Sequence, residues 1–258
     1  MRTAIIIPAR YGSKRFPGKP LVPICGVPLL ERVINIANRA KADEVCVATD
    51  DERIFQFVAK IGVEVVMTDP ACSNGTERVL EAAKKLVIKP DAVINLQGDA
   101  VLTPPWILDA LIDEMQTGTS VATPAVRLSR QQLTDLQEAK AAGNSSGTLV
   151  VFDRKHCALY FSRSVIPFER SIDDAETSPV FRHIGLYAYT LEALEEYMTL
   201  PVGRLEELEK LEQLRWIEAG ISLKVVEVDY CGRTHCAVDT PQDAKKAEEI
   251  ILREGELC

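Results

Sequence analysis

The chain has 258 residues, of which 47% are hydrophobic and 26% charged, and its formal net charge is −8. This composition is ordinary for a soluble globular protein, and the acidic balance argues against a broad basic surface that binds nucleic acid. No apolar stretch approaches the roughly 20 residues that cross a bilayer, and none of the seven cysteines lies in a CxxC pair. We therefore expect a cytoplasmic protein with reduced thiols and with neither a membrane nor a nucleic-acid partner.

The first half of the sequence alternates short apolar runs with segments of helical periodicity, which is the pattern of βα units that feed a parallel sheet. The strands predicted from the apolar runs are 3–7, 44–48, 63–67 and 92–96. The helices predicted from the periodicity are 29–40, 50–60, 77–86 and 106–115. Carboxylates at Asp50 and Asp51 support the start of the second helix, because negative charge is favourable at a helix N-terminus.

The second half is less regular. The strands predicted there are 120–126, 149–152, 158–162, 185–189 and 223–228, and the composition of 140–147 indicates a turn. A single helix is predicted over 204–219, and a last helix is predicted to begin at Asp239, where Thr240 and Pro241 suit a first turn. The whole pattern predicts an α/β fold with a mostly parallel sheet flanked by helices.

A glycine-rich basic loop, PARYGSKRFPGKP at 8–20, follows the first strand. Ligands of open parallel sheets bind beyond the carboxyl ends of the strands, and Arg and Lys placed there can neutralise phosphate oxygens. The loop therefore indicates a triphosphate cradle, and the alternative is a solvated basic loop. The P-loop and the dinucleotide glycine pattern are both absent from the sequence, which argues against a dehydrogenase.

Two aspartates are candidates for holding Mg²⁺, a cation that binds through one or two carboxylates together with substrate phosphates. Asp99 follows the fourth strand in the segment NLQGD. Asp239 follows a strand-like stretch that ends near Val238, and its alternative role is to cap the last helix. The sequence thus predicts a magnesium site at the active edge of the sheet.

Further polar groups fall near other predicted strand ends. The turn SNGTER at 73–78 could hydrogen-bond a base or a sugar, or could simply cap a helix. Later side chains offer donors and acceptors for a polyhydroxylated ligand, although a buried structural histidine and a solvated acidic helix face are the alternatives. These later residues are Arg182, His183, Tyr187, Glu212 and Gln213.

Together these segments resemble the 3-deoxy-manno-octulosonate cytidylyltransferases, or CMP-Kdo synthetases, over nearly the whole chain. The similar motifs, in chain order, are IIIPARYGSKRFPGKPL, VATDD, SNGTER, NLQGD, LYFSRSVIPF, RHIGLYAY, LEELEKLEQLR and AVDTPQDA. The resemblance implies a Rossmann-like fold of the nucleotide-diphospho-sugar transferase type. In that fold a nucleotide-binding core would comprise about 1–125 and 220–258, and a smaller sugar-binding and dimerisation lobe about 126–219.

The resemblance also implies substrates, a cofactor and residue roles. CTP and a sugar acid would be the substrates, and Mg²⁺ would be the cofactor. The enzyme would be a homodimer, and its product would be used in lipopolysaccharide or capsule synthesis. The implied catalytic residues are Arg10, Lys19, Asp99 and Asp239, of which both aspartates would bind the metal. The implied nucleotide-binding residues are Pro8, Ala9, Arg10, Gly12, Ser13, Lys19, Ala48, Asp50, Thr76 and Gln97. The implied sugar-binding residues are Arg78, Gln97, His183, Tyr187, Glu212 and Gln213.

The sequence departs from the family pattern at two places. Ala100 and Val101 follow Asp99 where the family has Glu-Pro, and NSSGTL at 144–149 replaces a stretch that carries a lysine. These departures leave Kdo, 8-amino-Kdo and other ulosonic acids open as acceptors. A nucleotidyltransferase that uses a phosphorylated acceptor is one alternative function. A non-catalytic nucleotide sensor is another, although two metal carboxylates and a leaving-group cation argue against it.

Overall fold

The computed structural model describes residues 1–12, 15–143, 146–170 and 177–257. The strands are β1 Thr3–Ala9, β2 Pro23–Ile24, β3 Val27–Pro28, β4 Glu44–Thr49, β5 Glu64–Met67, β6 Ala92–Asn95, β7 Val121–Ser129, β8 Leu149–Phe152, β9 Ala158–Ser162, β10 Thr177–His183, β11 Tyr187–Thr190 and β12 Lys224–Val228. The α-helices are α1 Leu29–Ala37, α2 Glu52–Lys60, α3 Gly75–Lys85, α4 Pro105–Met115, α5 Arg130–Ala141, α6 Leu191–Thr199, α7 Arg204–Glu209, α8 Leu214–Glu218 and α9 Pro241–Glu254.

Within the described residues, one sheet of ten strands organises the molecule, with the order β5-β4-β1-β6-β11-β7-β10-β8-β9 and with β12 paired to β7. Strands β5, β4, β1 and β6 pair in parallel, and β12 is parallel to β7. Strands β9, β10 and β11 run in the opposite direction. The sheet is therefore mostly parallel, as the alternation of apolar runs and helices predicted.

Helices cover both faces of this sheet. Alternate residues of β1 enter different cores, because successive side chains of a strand point to opposite faces. Ile5 and Ile7 pack with apolar residues of α1, α4 and α9, whereas Ala4 and Ile6 pack with those of α3, α6 and α8. Burial on both faces explains why the strands read as continuous apolar runs rather than as an alternating pattern.

Two helix predictions are wrong in detail. The segment 204–219 forms two short helices, because Lys210 adopts a left-handed conformation with φ 55° after α7. The Arg163 Nε donates to the carbonyl of Glu209, 2.7 Å away. In a continuous helix this carbonyl would accept from a backbone N–H one turn later. The last helix begins after Thr240, whose side chain accepts from the Asp243 N–H in a capping box. Asp239 therefore precedes the cap, and its carboxylate is available for other contacts.

The pattern of the sequence did not predict α5, α6 or β10. Strands β8, β9, β10 and β11 belong to the same sheet as β1, so the predicted nucleotide-binding core and sugar-binding lobe share one continuous sheet. The proposed boundary of the lobe near residue 126 falls inside β7, and the division of the chain into these two parts stays a prediction. Among the described residues, no helix combines the length and the apolar character that crossing a membrane requires.

Candidate active site

The loop after β1 and the loop after β6 meet at the carboxyl edge of the sheet. A Cβ atom on Gly98 would lie only 2.6 Å from the carbonyl oxygen of Pro8, so glycine is required for this approach. The backbone N–H of Val238 donates to the carbonyl of Asp99 over 3.2 Å, which joins the segment before α9 to the same place. Three stretches that are distant in sequence therefore converge here, and they carry Arg10, Asp99 and Asp239.

Lys19 is the centre of this convergence. Its Nζ donates to Asp99 Oδ2 at 2.9 Å, to the carbonyl of Val238 at 2.8 Å and to Asp239 Oδ1 at 3.3 Å. Only 14% of its side chain is exposed. Arg15 adds a second cation, since its Nη2 lies 3.2 Å from Asp239 Oδ1. Because one ammonium group contacts both carboxylates, the structure brings together the two predicted metal ligands and a predicted leaving-group cation.

A second ionic cluster lies beside the first. Asp50 Oδ2 accepts from Arg78 Nη2 at 2.6 Å and lies 3.9 Å from Arg10 Nε. The Arg78 side chain is fully buried, and it also contacts the hydroxyl of Thr68. Its Nε is buried and has no hydrogen-bond partner among the described residues. Burial of a guanidinium group is costly without such pairing, so Asp50 holds Arg78 in a fixed position.

These groups surround a cavity of about 290 Å³, called here the cationic cavity. Its lining contains four basic and two acidic side chains, which gives it a positive charge balance suited to phosphates. The lining residues are Pro8, Ala9, Arg10, Gly12, Arg15, Lys19, Pro20, Gly75, Arg78, Gln97, Gly98, Asp99 and Asp239.

A larger cavity of about 590 Å³, called here the polar cavity, adjoins the cationic cavity. Gln97 lines both of them. The polar cavity is also lined by four other residues that the family resemblance assigned to sugar binding, namely His183, Tyr187, Glu212 and Gln213. Two ligands bound in the two cavities would therefore meet beside Gln97.

His183 is neutral at physiological pH, because burial lowers its pKa to about 3. Its Nε2 lies 2.8 Å from the hydroxyl of Thr123, and that hydroxyl lies 2.7 Å from the carbonyl of Leu186. The Thr123 hydroxyl has one proton, and it donates this proton in its hydrogen bond to the Leu186 carbonyl. The hydroxyl must therefore accept from His183, so Nε2 carries the imidazole proton and donates to Thr123. Nδ1 is then the free acceptor of the ring, suited to a ligand hydroxyl.

Glu212 is the buried carboxyl group of the polar cavity. Burial raises its pKa, and the hydroxyl of Thr76, 3.3 and 3.4 Å from the two carboxyl oxygens, lowers it in part. Arg215 pairs with Glu206 at 2.7 Å, whereas Glu212 lines the polar cavity, so the alternative of a solvated acidic face does not hold for Glu212. A carboxyl group with a raised pKa can accept or donate a hydrogen bond to a polyhydroxylated ligand.

Several predicted site residues lie outside the cavity to which they were assigned. Arg78, assigned to the sugar, lines the cationic cavity. Thr76, assigned to the nucleotide, contacts Glu212 of the polar cavity. Ala48 is fully buried with its side chain in the core beside α3, so only its backbone could reach a ligand. Asp50 acts through its pairs with arginines, and Ser13 lies outside the described residues.

Sequence reasoning missed part of the lining of the polar cavity: Lys210, His235, Asp243 and Lys246. Asp243 and Lys246 lie three residues apart in the first turns of α9 and share one helix face. This spacing next to Asp239 was a usable signal. At the first departure from the family pattern, Ala100 and Val101 are buried in the core, so this chain places apolar side chains where the family pattern has a carboxylate.

The chain is similar to known proteins over most of its length. A family model described as cytidylyltransferase matches residues 4–225. The 3-deoxy-manno-octulosonate cytidylyltransferase of Maricaulis maris is 48% identical, with all of both chains covered. The 8-amino-3,8-dideoxy-manno-octulosonate cytidylyltransferase of Shewanella sp. W3-18-1 is 44% identical, over 97% of this chain and 99% of the relative. A solved CMP:2-keto-3-deoxy-manno-octonic acid synthetase, complexed with CTP, shares 36% identity and a TM-score of 0.85, covering 98% of this chain and all of the other.

The mostly parallel sheet with a cationic cavity at its carboxyl edge is the architecture of a nucleotide-binding α/β enzyme. Because the family model spans most of the chain and relatives align over its full length, the class can be stated more narrowly. The chain belongs to the cytidylyltransferase family of CTP-dependent nucleotidyltransferases.

Proposed function

We propose that the chain transfers CMP from CTP to the anomeric hydroxyl of a 3-deoxy-2-keto sugar acid and releases pyrophosphate. Kdo and 8-amino-Kdo are the two acceptors that the relatives use by name. The observation that carries the proposal is the meeting of the two cavities at Gln97. One cavity has the charge of a phosphate site, and the other has the buried polar groups of a sugar site.

In this proposal the triphosphate of CTP lies in the cationic cavity. Arg10 and Lys19 neutralise its oxygens, and the loop glycines let the backbone approach it closely. As the acceptor hydroxyl attacks the α-phosphorus, negative charge develops on the departing pyrophosphate. Fixed cations at that place stabilise the charge without reorganising during the reaction. The protein thus contributes mainly position and charge.

The residues present also suit Mg²⁺. Asp99 and Asp239 converge on a single ammonium group, so their carboxylates lie close enough to serve one cation. In the part of the chain that the structure describes, no three acidic, His or Cys side chains are grouped so that they could hold a metal ion by themselves. Two carboxylates suffice, because Mg²⁺ takes its other ligands from water and phosphate. When bound, the ion would neutralise phosphate charge.

The acceptor would occupy the polar cavity. Gln97 and Gln213 supply amide groups, His183 supplies the free Nδ1 acceptor, and Glu212 supplies a carboxyl group of raised pKa. These groups form hydrogen bonds that recognise hydroxyls rather than a phosphate. Gln97 lies at the junction, so it would orient the end of the acceptor that attacks CTP.

The test is an assay of pyrophosphate release with purified protein, CTP and Mg²⁺. The acceptor panel contains Kdo, 8-amino-Kdo and phosphorylated alcohols such as methylerythritol phosphate, and UTP and ATP replace CTP in parallel reactions. The proposal expects release with CTP and one of the two sugar acids, and formation of the CMP-sugar by mass spectrometry. Release with only phosphorylated acceptors, or none with any acceptor, would refute it.

We also propose a cytoplasmic homodimer. Six cysteines are free in the described part of the chain, which suits a reducing compartment. Leu159 and Phe168 in the predicted dimerisation lobe are 58% and 89% exposed, so apolar surface is available there for a second copy. Light scattering after size-exclusion chromatography would give twice the mass of the chain if the proposal is right, and the monomer mass if it is wrong.

A further inference from the structure

The aromatic ring of Tyr11 is held between parts of the protein that lie outside both cavities. The guanidinium carbon of Arg53, in the first turn of α2, lies 3.3 Å from the centre of this ring. Gly18 packs against the hydroxyl end of the same ring, where an added Cβ would be 3.1 Å from Cζ and Oη. The backbone N–H of Gly18 also donates to the Tyr11 carbonyl over 3.0 Å.

These contacts fix both ends of the basic loop. Arg10 directly precedes Tyr11, and Lys19 directly follows Gly18. The two cations proposed to neutralise the triphosphate are therefore the direct chain neighbours of Tyr11 and Gly18, which are in contact through the Tyr11 ring. A displacement of Tyr11 would move Arg10, its neighbour in the chain. It would also remove the contact that holds Gly18 in its left-handed conformation, with φ 71°, and so would change the direction in which Lys19 leaves the backbone.

Arg53 is itself held rigidly, although 59% of its side chain is exposed. Its Nε and Nη2 donate to the two carboxylate oxygens of Asp51 at 2.9 and 2.6 Å. Asp51 caps α2 by accepting from the Arg53 N–H at 3.0 Å. The Arg53 side chain, which lowers the pKa of Asp51, is the largest influence on that group. A bidentate pair of this kind fixes the plane of the guanidinium group, and a fixed plane can stack on an aromatic face.

Tyr11 also packs against the hydrophobic core that contains the apolar residues of α1, but neither Tyr11 nor Arg53 lines a ligand cavity. Tyr11, Asp51 and Arg53 are absent from the described lining of the cationic cavity and of the polar cavity. An exposed arginine normally samples many rotamers, and ordering it costs conformational entropy. Asp51 caps α2 through its own carboxylate and does not need the stack for this. A role in folding α2 therefore does not explain why Arg53 is held against Tyr11.

We infer that Tyr11 and Arg53 are positioning residues, which hold the basic loop in the geometry that receives the triphosphate of CTP. The inference rests on the proposed binding of CTP in the cationic cavity. It predicts that losing the stack weakens CTP binding selectively, because Arg10 and Lys19 are displaced while the polar cavity is untouched. Cation–π contacts of this exposure correspond to an effect of roughly 2- to 5-fold in affinity.

The experiment compares four variants of the full-length chain by calorimetric titration with CTP and by steady-state kinetics. Arg53→Ala and Tyr11→Leu remove one partner each, Tyr11→Phe keeps the ring, and Arg154→Ala removes an exposed arginine in the turn between β8 and β9 as a matched control. We expect the Kd and the KM for CTP to rise by roughly 2- to 5-fold in the first two variants. The KM for the acceptor should stay constant, and Tyr11→Phe and Arg154→Ala should behave as the wild type.

The double variant Arg53→Ala/Tyr11→Leu should be no weaker for CTP than the worse single variant, because both changes break one contact. Additive losses, or a fall in melting temperature with unchanged CTP affinity, would overturn the inference and leave the stack a purely structural contact. Failure of the proposed function shows separately, since it is read from the wild type with the acceptor panel. If the wild type does not bind CTP, both are overturned.

Discussion

Gly98 packs so tightly against Pro8 that the substitution Gly98→Ala should displace the two segments that meet in the candidate site. The new Cβ would lie 2.6 Å from the Pro8 carbonyl oxygen, whereas ordinary contacts begin at 3.4 Å. The two loops must therefore separate by about 0.8 Å, the difference between these distances. Overpacking of this kind costs about 1–3 kcal/mol of stability.

The larger consequence concerns catalysis. Gly98 precedes Asp99, and Pro8 lies two residues before Arg10, so the separation shifts Asp99 relative to Arg10 across the cationic cavity that both residues line. A misplacement approaching 1 Å costs on the order of a hundredfold in rate. We expect kcat for pyrophosphate release to fall by roughly 30- to 100-fold, while the melting temperature falls by only a few degrees.

Gly75→Ala is the matched control for this variant. It faces the same proline, but its Cβ would lie 3.5 Å from the ring carbon of Pro8, which is an ordinary contact. Alanine also suits the helical position at the start of α3, so we expect the stability to rise, by at most about 1 kcal/mol. Wild-type kcat in Gly98→Ala, or an equal loss in both variants, would refute the steric reasoning.

Three further predictions follow from the site. Asp99→Ala should lower kcat more than about a hundredfold, because the proposed metal contact would be lost, and excess Mg²⁺ should not restore it. Lys19→Met should lower kcat by about 10²- to 10³-fold while tightening the apparent binding of Mg²⁺, because two carboxylates lose their shared cation; weaker Mg²⁺ binding would contradict this. His183 and His235, with pKa values of about 3 and 4, should stay neutral at pH 5 in NMR spectra. Since the unfolded chain protonates them near 6.5, stability should fall as pH drops below that value, by at most about 1.4 kcal/mol per pH unit for each.

The sequence predicted the first half of the fold well, and the reason is burial. Strands covered on both faces leave continuous apolar runs, and β4, β5 and β6 were found within two residues of their bounds. Strands β8 and β9 were predicted with the bounds that the structure has. Helix α5 was missed, because only Leu133 and Leu136 of it are buried and its apolar face is short.

The break between α7 and α8 could not be read from the sequence. Nothing in the residue type of Lys210 signals a left-handed conformation, which non-glycine residues adopt only with support from elsewhere. That support comes from Arg163, whose guanidinium group binds the carbonyls of Glu209 and Lys210. A contact between residues 46 positions apart overrides the helical periodicity of the segment.

The sequence predicted many of the residues that line the two cavities, but it did not predict which cavity each of them meets. Strand ends indicated which residues gather at one edge, and Gln97, His183, Tyr187, Glu212 and Gln213 do line one cavity. Arg78 and Thr76 are two residues apart on α3. Arg78 lines the cationic cavity, whereas Thr76 contacts Glu212 of the polar cavity. Residues two apart on a helix face different directions, and which cavity each one meets depends on how α3 packs against the sheet.

A crystal structure with CTP, Mg²⁺ and an unreactive analogue of the sugar acid tests the two-cavity arrangement most directly. The triphosphate should then lie about 3 Å from Lys19 and Arg10, the ion should contact Asp99 and Asp239, and the analogue should fill the polar cavity with its reactive end beside Gln97. A nucleotide in the polar cavity, or an ion bound away from both aspartates, would contradict the account.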